Sequence, residues 1–271
     1  MGGLVIVASV LFSTILLADL TSKYVWLILF VLVSYSILGF IDDWRKVSQQ
    51  NSKGVSGKIK LIWQTLIAII FATCLYYSGF STELTFPFFK SLMLTLGVFF
   101  IPFVILVMVG TSNAVNLTDG LDGLAIGSVM TVASLYGIIA YLTGHKQLEV
   151  AIILSAIVAG GLGFLWYNTF PAQVFMGDIG ALSLGATLGA VAILVKQEIL
   201  LIIAGGIFVI EALSVIIQTY SFKLTGKRVF KMAPIHHHFE IKGWPEPKII
   251  VRFWIISIVL ALIALTTLKL R

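Results

Sequence analysis

The chain carries nine stretches of about 17–24 residues that are almost free of charge, and each is long enough, or nearly so, to cross a hydrocarbon core as a helix. They lie at about 4–20, 24–41, 59–79, 92–112, 123–143, 149–167, 180–196, 199–222 and 249–268, each read against a spanning length of roughly 20 residues. Runs such as "LVIVASVLFSTILLA" and "FWIISIVLALIALTTL" are continuously apolar. Strands of a membrane barrel would instead alternate apolar and polar residues. In lipid a helix satisfies its own backbone, so these runs predict an all-α polytopic helical bundle of about nine transmembrane helices.

Composition closes off the other classes. Hydrophobic residues make up 59% of the 271 and charged residues 11%, against roughly 25% charged in soluble domains. A water-soluble fold could not hide that much apolar surface. One cysteine, Cys74, allows no internal disulfide and reads as a small buried hydrophobe. No internal repeat of the kind found in transporters stands out.

Orientation follows from lysine and arginine. The loops around 42–58, 111–122, 168–179 and 223–248, with their flanking helix ends, hold 12 of the 18: Arg45, Lys46, Lys53, Lys58, Lys60, Lys223, Lys227, Arg228, Lys231, Lys242, Lys248 and Arg252. The opposite side holds six: Lys23, Lys90, Lys146, Lys196, Lys269 and Arg271. The richer side is therefore expected to be cytoplasmic. With nine spans the N-terminus lies there too, and no basic n-region or cleavage site marks a signal peptide. The net charge of +6 points to a lipid bilayer and acidic partners at that face, with no nucleic acid.

The unusual polar residues collect in those same four segments. In "GFIDDWRK", Asp42 and Asp43 precede Arg45 and Lys46. This is either a helix end with solvated charge pairs, or adjacent carboxylates that hold a divalent metal or supply a base beside phosphate-attracting cations. In "GTSNAVNLTDGLDGLAIG", Asn113, Asn116, Asp119 and Asp122 are interspersed with glycines. Asp119 and Asp122 share a face if that piece is helical. A capping turn accounts for one of these acids, but not for two acids and two amides without balancing lysines. In "GFLWYNTFPAQVFMGDIG", Asn168, Phe175 and Asp178 surround Pro171. Asp178 is either an N-cap or the acid that completes a cation site, with Mg²⁺ preferred. In "FKMAPIHHHFE", His236, His237 and His238 are consecutive. Adjacent side chains diverge, so a shared zinc ion is disfavoured against contact with phosphate or base, or support of the metal site. Lys223, Lys227, Arg228 and Lys231 make a basic approach for a polyanion. Glu211, inside the eighth stretch near Gly205 and Gly206, is either functional or part of a bent helix. His145 reads as an ordinary outer-loop residue. Together these residues suit Mg²⁺-assisted chemistry on a diphosphate, and the apolar embedding suggests that one reactant is a lipid.

The blocks "GFIDDWRK", "NAVNLTDGLDGLAIG", "GFLWYNTFPAQVFMGD", "FKMAPIHHHFE" and "GWPEPKIIVRFW" strongly resemble those of the bacterial phospho-N-acetylmuramoyl-pentapeptide transferases, over essentially the whole chain. The wider polyprenyl-phosphate sugar-1-phosphate transferase family shares the acidic motifs, whereas the triple histidine with "GWPEP" points to the muramoyl-pentapeptide members. The resemblance implies transfer of phospho-N-acetylmuramoyl-pentapeptide from UDP to undecaprenyl phosphate, giving lipid I and UMP, with Mg²⁺, at the cytoplasmic face of the bacterial inner membrane. It implies Asp42 and Asp43 as catalytic carboxylates near the lipid phosphate and Asp178 as the Mg²⁺ ligand. His236 is implied at the phosphate or metal. Asn116, Asp119, Asp122, Asn168, Phe175, His237 and His238 are implied on the nucleotide and substrate side, and Lys46 and Lys58 at phosphate. Family members are commonly homodimers. They have ten helices, the first followed by a stretch ending in a motif like "GTPTMGG", and this chain starts at its Met-Gly-Gly. One integral-membrane transferase domain over 1–271, truncated at the N-terminus and weakly active alone, is therefore the expectation. Ala181 stands where the family has Ser. The rivals are a sister enzyme using UDP-N-acetylglucosamine and a secondary transporter. The transporter would place its acids near the bilayer midplane.

Overall fold

A computed structural model describes residues 1–50, 54–143 and 147–269. Lys53, His145, Lys146 and Arg271 lie outside the described residues. Among the described residues, eight helices are long and apolar enough to cross a membrane. They are α2 (Lys23–Ser48), α3 (Gly57–Tyr77), α4 (Phe100–Thr118, entered through a 3₁₀ turn at Gly97–Phe99), α5 (Leu124–Leu142), α6 (Leu148–Asn168), α7 (Gly177–Leu194), α9 (Gly206–Thr225) and α11 (Glu246–Lys269). A ninth, α1 (Gly3–Leu17), is apolar but shorter. Short α8 (Leu200–Ala204) leads into α9 across Gly205, and α10 (Ile235–Ile241) carries the histidines.

The expected bundle is present, with two differences. The stretch expected as a span from 92 begins as an antiparallel hairpin, β1 (Glu83–Phe86) with β2 (Phe89–Thr95), and the helix starts only after Leu96. Lys196, between α7 and α8, anchors that hairpin: its ammonium donates to the carbonyls of Ser81 and Glu83, and its own carbonyl accepts the Thr85 hydroxyl at 2.8 Å. Second, α2 runs seven residues past the expected boundary of 41, so Asp42 and Asp43 sit on helix rather than in a loop.

α7 is the axis of the molecule. Ile179 through Leu194 are all buried, and the helix packs mainly against α2 and α4. Lipid tails are as apolar as leucine, so such packing relies on close backbone approach at small residues rather than on hydrophobicity. At Gly185 a Cβ would lie 2.8 Å from the Thr111 carbonyl oxygen and the Ser112 Cα of α4. Because successive spans alternate in direction, the C-terminal ends of α2, α4, α6 and α9 meet the N-terminal ends of α1, α3, α5, α7 and α11 at one end of the bundle. The hairpin and Lys196 lie at the other.

Candidate active site

At the first of these ends, α2 and α7 bring three carboxylates together. The closest oxygens of Asp42, Asp43 and Asp178 all lie within 4.8 Å of one another. Asp42 is fully buried. Its Oδ1 accepts the Val55 N–H at 2.6 Å. Among the described residues its Oδ2 accepts no hydrogen bond of ordinary geometry, and it is compensated by charge, with Lys46 Nζ at 2.5 Å and Lys60 Nζ at 2.9 Å. Asp43, one residue on, points across to α7, where its carboxylate accepts the N–H groups of Asp178 at 3.3 Å and Ile179 at 3.4 Å. It therefore occupies the positive end of the α7 dipole. Gly177 has φ +69°, and a Cβ there would lie 2.4 Å from Asp43 Oδ2, so glycine is required both by the turn and by the approach. Asp178 is not an N-cap: it lies inside the first turn of α7, and the capping carboxylate comes from Asp43 instead.

Two lysines bind the acids into one unit. Lys46 lies 3.6 Å from Asp178 and 3.9 Å from Asp43, in addition to its contact with Asp42. Lys60, in the first turn of α3, bridges Asp42 and Asp178, the latter at 2.6 Å. Lys58 is exposed and makes no ion pair among the described residues. Two residues along a helix amount to about 200° of rotation, so only one of the two lysines can face the acids. Asn116 donates to Asp178 Oδ1 at 3.0 Å, and one turn earlier Asn113 donates to Gln64 of α3 at 2.8 Å.

The segment between α4 and α5 is a turn rather than a helix, so the shared face that a helix would give Asp119 and Asp122 does not form. Asp119 follows the last residue of α4 and turns towards the carboxylate cluster. Burial, and then the charges of Asp178 and Asp43, push its carboxyl up to about 7. Asp122 faces away: its Oδ2 accepts the Ala172 N–H at 2.8 Å, while its own N–H donates to Glu246 of α11 at 2.9 Å. Asn168, nearly buried, accepts the Gly123 N–H at 3.0 Å and donates to the Val174 carbonyl at 2.8 Å. Both residues fasten the loop that presents Phe175, a residue that is 64% exposed. That loop also receives the start of α1, with the N–H groups of Gly2 and Gly3 donating to the carbonyls of Phe175 and Met176.

The three histidines take three different directions. His236 is fully buried, with Nδ1 3.1 Å from Glu211 Oε2 and Nε2 so close to Gly120 that a Cβ there would lie 2.2 Å away. It thus sits behind the Asp119 turn, against the acid of α9. His237 pairs with Glu240 on its own helix. His238 Nδ1 accepts the Lys231 N–H at 3.0 Å, and desolvation with the charges of Lys242 and Lys231 holds this imidazole below its usual value.

Sequence reasoning missed Lys60, the Glu211–His236 contact and the Glu246 tie. A signal for Lys60 was present: Gln64, a lone amide in an apolar run, marks the buried face of α3, and Lys60 stands one turn before it. Chemically, an oxygen-only set of three carboxylates with a further acid behind it could hold a hard divalent cation. The two ammonium groups offset the mutual repulsion of the acids and remain available to a phosphate.

Residues 25–196 match the model of glycosyl transferase family 4. The chain is 55% identical over 285 aligned positions to the phospho-N-acetylmuramoyl-pentapeptide-transferase of Pelobacter propionicus, an alignment covering 100% of the chain and 80% of that relative. The same identity and coverage hold for the proteins of that name from Citrifermentans bemidjiense and from Geobacter sp. strain M21.

Proposed function

Since the chain belongs to the phospho-N-acetylmuramoyl-pentapeptide-transferases within glycosyl transferase family 4, we propose that it moves phospho-N-acetylmuramoyl-pentapeptide from UDP to undecaprenyl phosphate. In this reading an oxygen of the lipid phosphate forms a new bond to the sugar-linked phosphorus. The bridging P–O bond to the uridylate breaks, UMP leaves with the electron pair, and lipid I remains. The observation that carries this reading is the convergence of Asp42, Asp43 and Asp178 with Lys46 and Lys60 at one end of a membrane bundle.

Asp178, with Asp42 and Asp43 beside it, would hold Mg²⁺, which when bound supplies neutralisation of the charge developing on the bridging oxygen. Lys46 and Lys60 steer the two phosphate groups into the cluster and share that charge. Asp42 or Asp43 orients the attacking phosphate and takes its proton if it arrives protonated. Asp119 and Asn116 shape the wall behind Asp178, and exposed Phe175 offers a face on which the uracil base can stack. Asn168 and Asp122 fix the loop bearing Phe175, buried His236 backs the Asp119 turn, and half-buried His237 and His238 are left to meet the sugar and pyrophosphate. An apolar groove of about 590 Å³ between α3, α4 and α9, bordered by Leu61, Thr65, Val109, Asn113 and Ile216, suits a polyprenyl tail whose phosphate reaches Lys60. The excess of lysine and arginine on the loops at this end supports a cytoplasmic-face site in the inner membrane.

The test is exchange of labelled UMP with UDP-N-acetylmuramoyl-pentapeptide in the presence of undecaprenyl phosphate. Exchange that requires Mg²⁺ and disappears in Asp178→Asn supports the reading. Equal turnover with UDP-N-acetylglucosamine would instead assign the chain to the sister activity. Trapping a phosphorylated aspartate during turnover would replace direct attack by a two-step route.

A further inference from the structure

Between α9, α10 and α11, lined by none of the clustered carboxylates, lies a second concavity of about 440 Å³. Its lining is apolar, from Ile207 and Ile210 of α9, Phe239 of α10 and Phe253, Ile255 and Ile256 of α11, with Trp244 and Arg252 as the exceptions at its rim. The Arg252 guanidinium stacks on the Trp244 ring at 4.4 Å from the centroid, and Lys248 Nζ approaches the same ring at 5.2 Å. Lys248 and Arg252 are one turn apart on α11 and so share a face. Ile255 and Ile256 continue that face towards the membrane interior, one further turn down.

Two cations gathered on one indole repel each other, and among the described residues neither makes an ion pair with a carboxylate. The neighbouring acids are engaged elsewhere: Glu240 with His237, and Glu246 with the Asp122 N–H. Arg252 lies six residues into α11, about 9 Å along its axis, a depth from which arginine reaches the headgroup layer. Trp244 is of the type that settles in that layer. The site thus runs from two uncompensated cations at headgroup level to a dry apolar slot below them.

We propose that this concavity binds one anionic phospholipid of the bilayer, its phosphate held by Lys248 and Arg252 beside Trp244 and an acyl chain lying in the slot between α9 and α11. The Trp244 ring also stacks on Phe239 of α10 at 4.7 Å between centroids, so the lipid would brace the helix that carries the three histidines. This binding requires only a membrane-embedded chain and does not depend on the transferase reading.

Native mass spectrometry of the intact chain released from detergent tests the proposal. Phosphatidylglycerol, phosphatidylcholine with the same acyl chains, and inorganic phosphate are added separately. The expected result is one retained phosphatidylglycerol, preferred about tenfold over phosphatidylcholine and not displaced by inorganic phosphate. The pair Lys248→Gln with Arg252→Gln should bring the two lipids to near parity. Lys223→Gln with Lys227→Gln, a basic pair elsewhere at the same end, should leave the preference intact. Ile256→Trp, which fills the slot and keeps both cations, should weaken phosphatidylglycerol binding. Equal retention of both lipids by the unaltered chain, or an undiminished preference in the Lys248/Arg252 pair, overturns the proposal. So does displacement of phosphatidylglycerol by equimolar undecaprenyl phosphate, which would make the slot part of the substrate path.

Discussion

At the scale of single residues, the site is a problem of charge. Three carboxylates with a fourth behind them are tolerable because Lys46 and Lys60 stand among them. Loss of Lys60 should leave Asp42 Oδ2 and Asp178 underpaired, whereas loss of Lys58 removes only a solvated charge. Lys60→Ala is therefore expected to slow lipid I synthesis about 100-fold or more, and Lys58→Ala about twofold or less, when initial rates are compared at equal expression. Asp119 makes a different prediction. Its folded value of about 7 lies above the unfolded carboxyl, so its contribution to stability is full below about pH 4 and is lost as pH rises through about 7. The stability of the metal-free chain relative to Asp119→Asn should fall across that window and be flat on either side, by denaturant unfolding in detergent. Parallel curves for the two proteins would show that Asp119 is ionised freely in the fold.

At the scale of elements, α7 decides the packing. Gly185 lets α7 and α4 touch backbone to backbone, and α4 presents Asn116 to Asp178. Gly185→Leu should separate the two helices and lower thermal stability by the equivalent of about 1–3 kcal/mol, the usual range for overpacking a core. Activity should fall alongside, while Gly163→Leu, on an open face of α6, should do neither. Legibility in the sequence divides at this scale. Long apolar runs announce spans and their alternation, so the gathering of "IDD", "LTDGLD" and "MGD" at one end is legible from the residues alone. Rotation about each helix axis is written only faintly, because a run that is apolar nearly all round has little phase: in α3 the amide Gln64, one turn after Lys60, is the mark that sets Lys60 apart from Lys58. The hairpin at 83–95 is hidden for a related reason: "LTFPFFKSLML" is as apolar as the spans beside it. Asp122 and Asn168 read as ligands because their partners are backbone amides of a loop whose path the sequence does not reveal.

At the scale of the whole molecule, the alternating direction of the described apolar helices puts every candidate site residue at one end and the Lys196-anchored hairpin at the other. Introduced cysteines report this directly. In intact cells, with Cys74 replaced, Ser81→Cys should react with a membrane-impermeant maleimide and Lys227→Cys only after permeabilisation; the reverse pattern would invert the topology. The convergence of Asp42, Asp43 and Asp178 into one cation site is the claim on which the proposed chemistry rests. Electron paramagnetic resonance of Mn²⁺, an oxygen-seeking stand-in for Mg²⁺, measures it on the purified chain. One ion bound per chain is expected, weakened about tenfold or more in Asp178→Asn and in Asp42→Asn and unchanged in Glu240→Gln, an acid at the same end. Mn²⁺ binding that is absent, or indifferent to Asp42 and Asp178, would contradict it.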